Sequence, residues 1–139
     1  MPTPSNSISA YNMYFNYFNW HPIIYQNALL SDLILIQNQI NQFVSNSFVP
    51  TNAFIITFQG LTINSKPNDF VEFQVMLSSD SISSFVTINY CSCPFTNFLT
   101  QSGLYFLNNG AQNIVSIVNP CTSSNVGFNG LWIFDVTGK

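Results

Sequence analysis

The chain has 139 residues, which is enough for one domain with a real hydrophobic core, and 47% of them are hydrophobic. Only 5% are charged, with two lysines and no arginine, against about 25% in an average soluble domain. Nucleic-acid binding and docking to anionic lipid are therefore excluded, because both need clustered lysine and arginine. His21 is the one acid–base side chain that titrates near neutral pH, so we expect a non-catalytic protein without cofactors. A hydrolase that uses His21 is the least favoured alternative, since no GxSxG elbow is present.

The N-terminal region is rich in proline, serine and aromatic residues. Residues 1–9 predict a flexible leader, followed by a single domain over residues 10–139. Residues 8–25 predict two strands that turn near residues 19–22. We expect no signal peptide in this chain and no direct membrane insertion, because no basic region precedes an apolar core and no apolar run approaches about 20 residues. The candidate interaction surface consists of four exposed aromatic side chains: Tyr11, Tyr14, Tyr17 and Trp20.

Residues 28–44 predict one amphipathic helix, because apolar residues recur there at spacings of three and four. Asn27 is the expected N-cap, and Asp32 lies near the positive end of the helix dipole. Amide side chains lie on the opposite face, which is expected to be exposed to solvent. The apolar stripe is formed by Leu29, Leu33, Ile36, Ile40 and Phe43.

After residue 50 the pattern becomes that of strands. Residues 53–58 form a short continuous apolar run, which is typical of a strand covered on both faces. Residues 70–77 and 84–90 alternate between apolar and polar side chains on either side of a polar turn. We therefore expect these two segments to form an antiparallel hairpin.

Two Asn-Gly pairs mark the C-terminal half. Residues 104–107 and 114–118 flank Asn109-Gly110, and Asn-Gly is a strong hairpin signal because a type I′ turn needs positive φ at both central positions. A second pair, at residues 129–130, precedes a closing strand over residues 131–136. The expected fold is mainly β (α+β): an antiparallel β-sandwich of about eight strands with the helix packed on it.

The three cysteines, Cys91, Cys93 and Cys121, leave several arrangements open. A disulfide from Cys121 to Cys91 or Cys93 is favoured, and it would leave one odd thiol. Three reduced thiols are an alternative. A metal site is a third, although the set is one ligand short and CxC is not the usual CxxC knuckle.

The carboxylates do not predict a shared site. Asp69 and Asp80 flank opposite ends of one predicted strand, which would span about 35 Å, and Glu72 is expected on its solvent face. A glycosidase pair needs its carboxyl groups within about 5 to 9.5 Å. Asp80 is therefore expected to stabilise its own turn.

Three stretches, taken in order, resemble the NIDO domain of nidogen and alpha-tectorin: residues 53–58, residues 72–90 and residues 124–136. The resemblance implies an extracellular module of cell–matrix or matrix–matrix adhesion, within a longer secreted or membrane-anchored protein. Where the family usually has carboxylates in its opening stretch, this chain has Asn16 and Asn19, which puts a calcium site there in doubt. The matching positions include Phe58, Phe73, Gln74, Phe85, Asn89, Tyr90, Trp132 and Phe134.

The implied partners are proteins. A second copy of the chain is one of them, in a homo-oligomer or filament, because a surface with so few charges gives little repulsion between copies. The alternative is a carbohydrate-binding β-sandwich that would contact a glycan through exposed aromatic and asparagine side chains.

Overall fold

The computed structural model describes residues 7–9, 15–16, 23–63, 66–93, 102–108 and 111–138. Tyr11, Tyr14, Tyr17, Trp20 and His21 lie outside the described residues. The expected mainly β (α+β) character is confirmed. The described elements are β1 Ser7–Ser9, β2 Phe15–Asn16, β3 Ile23–Asn27, α1 Leu30–Phe43, β4 Asn52–Ile63, β5 Lys66–Ser79, β6 Ser84–Ser92, β7 Ser102–Asn108, β8 Ala111–Ile117 and β9 Leu131–Asp135.

Within the described residues, the larger sheet has six strands and is antiparallel throughout. β4, β5, β6 and β9 are neighbours in that order, and both β2 and β3 pair with the remaining side of β4. The predicted β5–β6 hairpin is confirmed, with Ser79 opposite Ser84 across the turn. Asp80 stabilises that turn as expected, because its Oδ1 accepts hydrogen bonds from the backbone N–H groups of Ile82 (3.0 Å) and Ser83 (2.7 Å).

The two N-terminal strands of this sheet lie end to end. Phe15 is opposite Ile63 and Ile23 is opposite Phe58, and both pairings are antiparallel. β2 and β3 therefore run in the same direction and do not form a hairpin with each other, while the expected turn at residues 19–22 lies outside the described residues. The 12 residues of β4 give room for two short strands in succession. The register of β4 shifts between Phe58 and Leu61, the region between the two pairings.

The smaller sheet has three described strands, in the order β1–β7–β8. Asn108 pairs with Ala111, so the predicted hairpin strands on either side of Asn109-Gly110 are confirmed, while these two turn residues lie outside the described ones. β1 pairs with β7. The first strand of the fold thus lies inside the stretch, residues 1–9, that was expected to be a leader.

Two buried clusters cover the two faces of the larger sheet. Successive side chains of a strand point to opposite faces, so Val75 belongs to one cluster and Met76 to the other. Leu104 and Ile117 of the smaller sheet share the first cluster with Val75. The helix packs against the sheet in the second cluster. The described strands number nine, six in one sheet and three in the other, where a β-sandwich of about eight strands was expected.

The helix begins two residues later than expected and packs through Ile36 and Ile40, which are buried. Asn27 is not the N-cap, because it is the last residue of β3 and pairs with β4. Leu29 is the N-cap, and its N–H donates to Asp32 Oδ2 at 2.8 Å. Within the described residues, no helix is long and apolar enough to cross a bilayer.

Candidate functional site

The face of the larger sheet that meets the smaller sheet is only partly covered. Register places Phe54 beside Leu77 in one row across β4 and β5. On the same face, four residues from Leu77 along β5, Phe73 is 4% exposed, whereas Phe54 and Leu77 are each 37% exposed. An apolar strip of this face therefore reaches solvent beyond the buried cluster.

This strip forms part of a cavity of about 470 Å³ at the strand ends, here called the sheet-end groove. Its apolar wall includes Phe54, Leu77 and Val136. The volume lies within the usual range of small-ligand sites, about 300–1,000 Å³. None of the described residues that line the groove is ionisable, so it can recognise a ligand only by apolar contact and neutral hydrogen bonds. Its polar residues are amides and hydroxyls: Asn27, Asn52, Ser78, Ser79 and Ser84.

Tyr25 extends the apolar surface from the groove to the outer strand β3. Its ring stacks on that of Phe54 with a centroid distance of 6.4 Å and an interplanar angle of 22°. The side chain is nevertheless 62% exposed. Sequence reasoning placed the aromatic surface at Tyr11, Tyr14, Tyr17 and Trp20 and missed Tyr25, which lies in the same aromatic segment.

The far edge of the larger sheet is closed by side chains of the loop before β9. Asn125 Nδ2 donates to the carbonyl of Ile133 at 2.7 Å, and the N–H of Ile133 donates to Asn125 Oδ1 at 3.0 Å. Ser124 Oγ donates to the carbonyl of Leu131. The amide of Asn125 thus takes the place of a neighbouring strand. Both residues belong to the third stretch of the family resemblance, but this role was not visible in the sequence.

Several of the aromatic side chains at the positions of the family resemblance form two groups of ring contacts in or against the first cluster. The ring of Phe73 stacks on that of Phe58 at 4.4 Å and lies 5.7 Å from that of Tyr90. Trp132 stacks on Phe134 at 6.3 Å, and its Nε1 donates to the carbonyl of Pro120 at 3.0 Å. These side chains hold the sheets together and are not available as a binding platform.

The remaining motif residues lie towards the helix. Phe85 meets Phe48 edge to face at 4.8 Å. Gln74 Nε2 donates to Thr57 Oγ1 across β4 and β5 at 3.0 Å. Asn89 is half-buried on the same face. Of these three residues, only Phe85 lines the sheet-end groove.

The cysteines resolve into one disulfide and one thiol. Cys93 is bonded to Cys121 with a Cα–Cα distance of 5.9 Å, so the expected disulfide is confirmed and its partner is identified. Both residues pack against the cluster between the two sheets. Cys91 is an exposed free thiol. A structural disulfide is typical of proteins that fold in an oxidising environment.

The ionisable groups that the structure describes do not converge. Among those residues, no group of three or more His, Cys, Asp or Glu side chains could hold a metal ion. Backbone hydrogen bonds from Ser83 and then Ile82 lower the pKa of Asp80, which fits a turn-stabilising carboxylate. Glu72 is exposed. Comparisons of the chain with protein-family models, with curated proteins and with solved structures returned no match.

Proposed function

We propose that this chain is a non-catalytic extracellular interaction module, of the NIDO type, that binds protein partners in adhesion between cells and matrix or within the matrix. The observation that carries the proposal is the exposed apolar surface formed by Tyr25, Phe54 and Leu77 beside an uncharged groove. Contiguous apolar surface with a polar rim is typical of interaction sites. Recognition would depend on apolar burial and on hydrogen bonds from amides and hydroxyls.

The resemblance supports the same assignment. Its first stretch lies in β4, its second in β5 and β6, and its third in the loop before β9 and in β9 itself. These strands are consecutive neighbours in the larger sheet. Because Leu104 and Ile117 of the smaller sheet pack into the cluster on one face of this sheet, we infer a β-sandwich with the helix outside it. The disulfide supports an extracellular location.

The proposal can be tested by coating beads with the chain and measuring how many of them are retained on a cell-derived extracellular matrix. All variants should contain Cys91→Ser, which removes the exposed thiol and with it disulfide capture. The parent should be retained on the matrix, and Leu77→Thr should reduce retention because it removes apolar surface from the groove. Ile82→Thr is the matched control, since Ile82 is 83% exposed and lies outside the groove. No retention of the parent, or equal retention of both variants, would refute a groove-based adhesion function.

A carbohydrate-binding module is the second candidate, favoured by the composition of the groove. Phe54 offers an exposed ring, and Asn27 and Asn52 offer neutral donors and acceptors beside it. A glycan array should then show binding that is lost in Phe54→Ala and kept in Phe128→Ala, which truncates an exposed ring elsewhere. A blank array would count against this candidate.

A further inference from the structure

The outer edge of β3 presents unpaired backbone groups. The N–H of Ala28 donates to the carbonyl of Ala53 at 2.9 Å, and antiparallel pairs alternate between hydrogen-bonded and non-hydrogen-bonded positions. The backbone groups of Ile24 and Gln26 therefore face β4. Those of Ile23, Tyr25 and Asn27 face away from it, and no described strand pairs with them.

Among the described residues, this edge also lacks the features that usually prevent strand addition. Protected edges carry lysine, proline, a bulge or a covering segment. β3 contains neither a charged residue nor a proline, and its pairing with β4 is continuous from Ile23 to Asn27. At the opposite edge of the same sheet, Asn125 occupies the place of a further strand. The sheet is thus closed at β9 and open at β3 within the residues that the structure describes.

We propose that β3 of a second copy of this chain pairs with β3, antiparallel, about a twofold axis at Tyr25. The proposal rests on the proposed interaction function and names its partner and its surface. In this register Tyr25 lies opposite Tyr25 of the second copy, and Ile23 lies opposite Asn27. Every outward backbone donor and acceptor of β3 then meets a complementary group. The two six-stranded sheets become one continuous sheet.

A second copy fits this edge for two reasons. An isologous contact needs a surface that is complementary to itself, and the three outward residues are placed symmetrically about Tyr25. Neither β3 nor the described lining of the adjoining groove carries a charge, so two copies meet without repulsion. A single strand pair buries little surface, so the complex should be weak and transient on its own.

Introducing a positive or a negative charge at Tyr25 tests whether a second copy of the chain pairs with β3 and in which register it does so. In a Cys91→Ser background, sedimentation equilibrium should show reversible dimers of the parent. Tyr25→Lys and Tyr25→Glu should each weaken self-association by about fivefold, the upper range for like charges directly opposite in a strand pair. An equimolar mixture of the two variants should associate again, because opposite charges then face each other. The exposed position of Tyr25 makes both substitutions compatible with folding, which circular dichroism would verify.

Gln26→Lys and Gln26→Glu provide a second pair on the other face of β3, which leaves the Tyr25 ring in place. In the proposed register Gln26 lies opposite Ile24 of the second copy and diagonal to Gln26, so the change in association should be smaller than at Tyr25. Association that is unchanged in the Tyr25 variants, or that does not return in their mixture, would overturn β3 pairing. A parent chain that stays monomeric but is retained on matrix would overturn β3 pairing and leave the proposed function standing. Dimers that respond to both exchanges but do not bind matrix would support β3 pairing and refute the matrix-binding function.

Discussion

Two glycines in the loop before β9 allow the packing of that loop to be measured against an internal control. Gly127 and Gly130 both have positive φ, 82° and 86°, so alanine at either position meets the same backbone strain. Their surroundings differ. A Cβ at Gly127 would have no atom within 4 Å, whereas a Cβ at Gly130 would lie 2.8 Å from the carbonyl oxygen of Tyr90.

Gly130→Ala should lose more stability than Gly127→Ala because backbone hydrogen bonds hold Gly130 in place. Its carbonyl accepts from the N–H of Tyr90 at 2.8 Å, and its N–H donates to the carbonyl of Ser123 at 3.0 Å. The contact with the Cβ can be relieved only by lengthening these bonds, which contribute about 1 kcal/mol each. The left-handed backbone costs an alanine about 1–2 kcal/mol in both variants. The lower conformational entropy of the unfolded alanine variant offsets about 0.4–1 kcal/mol of that cost. We expect losses of about 1 kcal/mol for Gly127→Ala and about 3 kcal/mol for Gly130→Ala.

Urea unfolding followed by tryptophan fluorescence would give both values, because Trp132 is buried in the cluster next to this loop. The slopes of free energy against urea should agree among the three proteins, so that the midpoints report stability. Equal losses for Gly127→Ala and Gly130→Ala would show that the loop does not approach Tyr90 closely, and the packing described for this corner would be wrong.

Three further variants have expected outcomes. Replacing Cys93 and Cys121 with alanine should lower the free energy of unfolding by about 3.5 kcal/mol, because the bond joins residues 28 apart; urea unfolding measures this. Asn125→Ala should cost about 1–2 kcal/mol and speed amide exchange in β9, since two hydrogen bonds are lost. Hydrogen bonds from Ser83 foremost lower the pKa of Asp80, so its stabilising effect is present above the unfolded pKa. The difference in Tm between wild type and Asp80→Asn should disappear as pH falls through the lowered pKa.

Much of the fold could be predicted because its signals are local. The β5–β6 hairpin follows from alternation on both sides of a polar turn, and the partners in β7 and β8 follow from Asn109-Gly110 between two apolar segments. The spacing of Ile36 and Ile40 indicates which side of the helix is buried. Each of these features depends on residues close together in the chain.

The placement of the outer strands could not be predicted in this way. β1 pairs with β7 across nearly 100 residues, and β2 and β3 share one side of β4, which depends on the length of a strand elsewhere in the chain. The prediction that Asn27 is the N-cap of the helix is wrong, because β3 continues through Asn27. A strand that is hydrogen-bonded to the sheet outweighs the weak capping preference of a single residue.

The candidate site was missed for a related reason. Phe54 and Leu77 are exposed beyond the buried cluster to which Leu104 and Ile117 of the smaller sheet contribute, and no local sequence pattern indicates where that cluster ends. The cysteine pairing also depends on tertiary packing. Cys93 and Cys121 lie against the same buried cluster, whereas Cys91, two residues away, is exposed.

Scarcity of charge explains both how this fold is held together and why its open edge matters. Neutral side chains make the connections that ion pairs often make elsewhere: Asn41 bonds the backbone N–H and carbonyl of Phe48, and Thr137 accepts from the N–H of Ser84. Such bonds are insensitive to ionic strength, because there is no Coulombic attraction for salt to screen. The same chemistry leaves little repulsion between copies of the chain, since the net charge is only −3. Pairing at β3 is therefore limited by the small area it buries and by the entropy of association, and further contacts between copies would strengthen it directly.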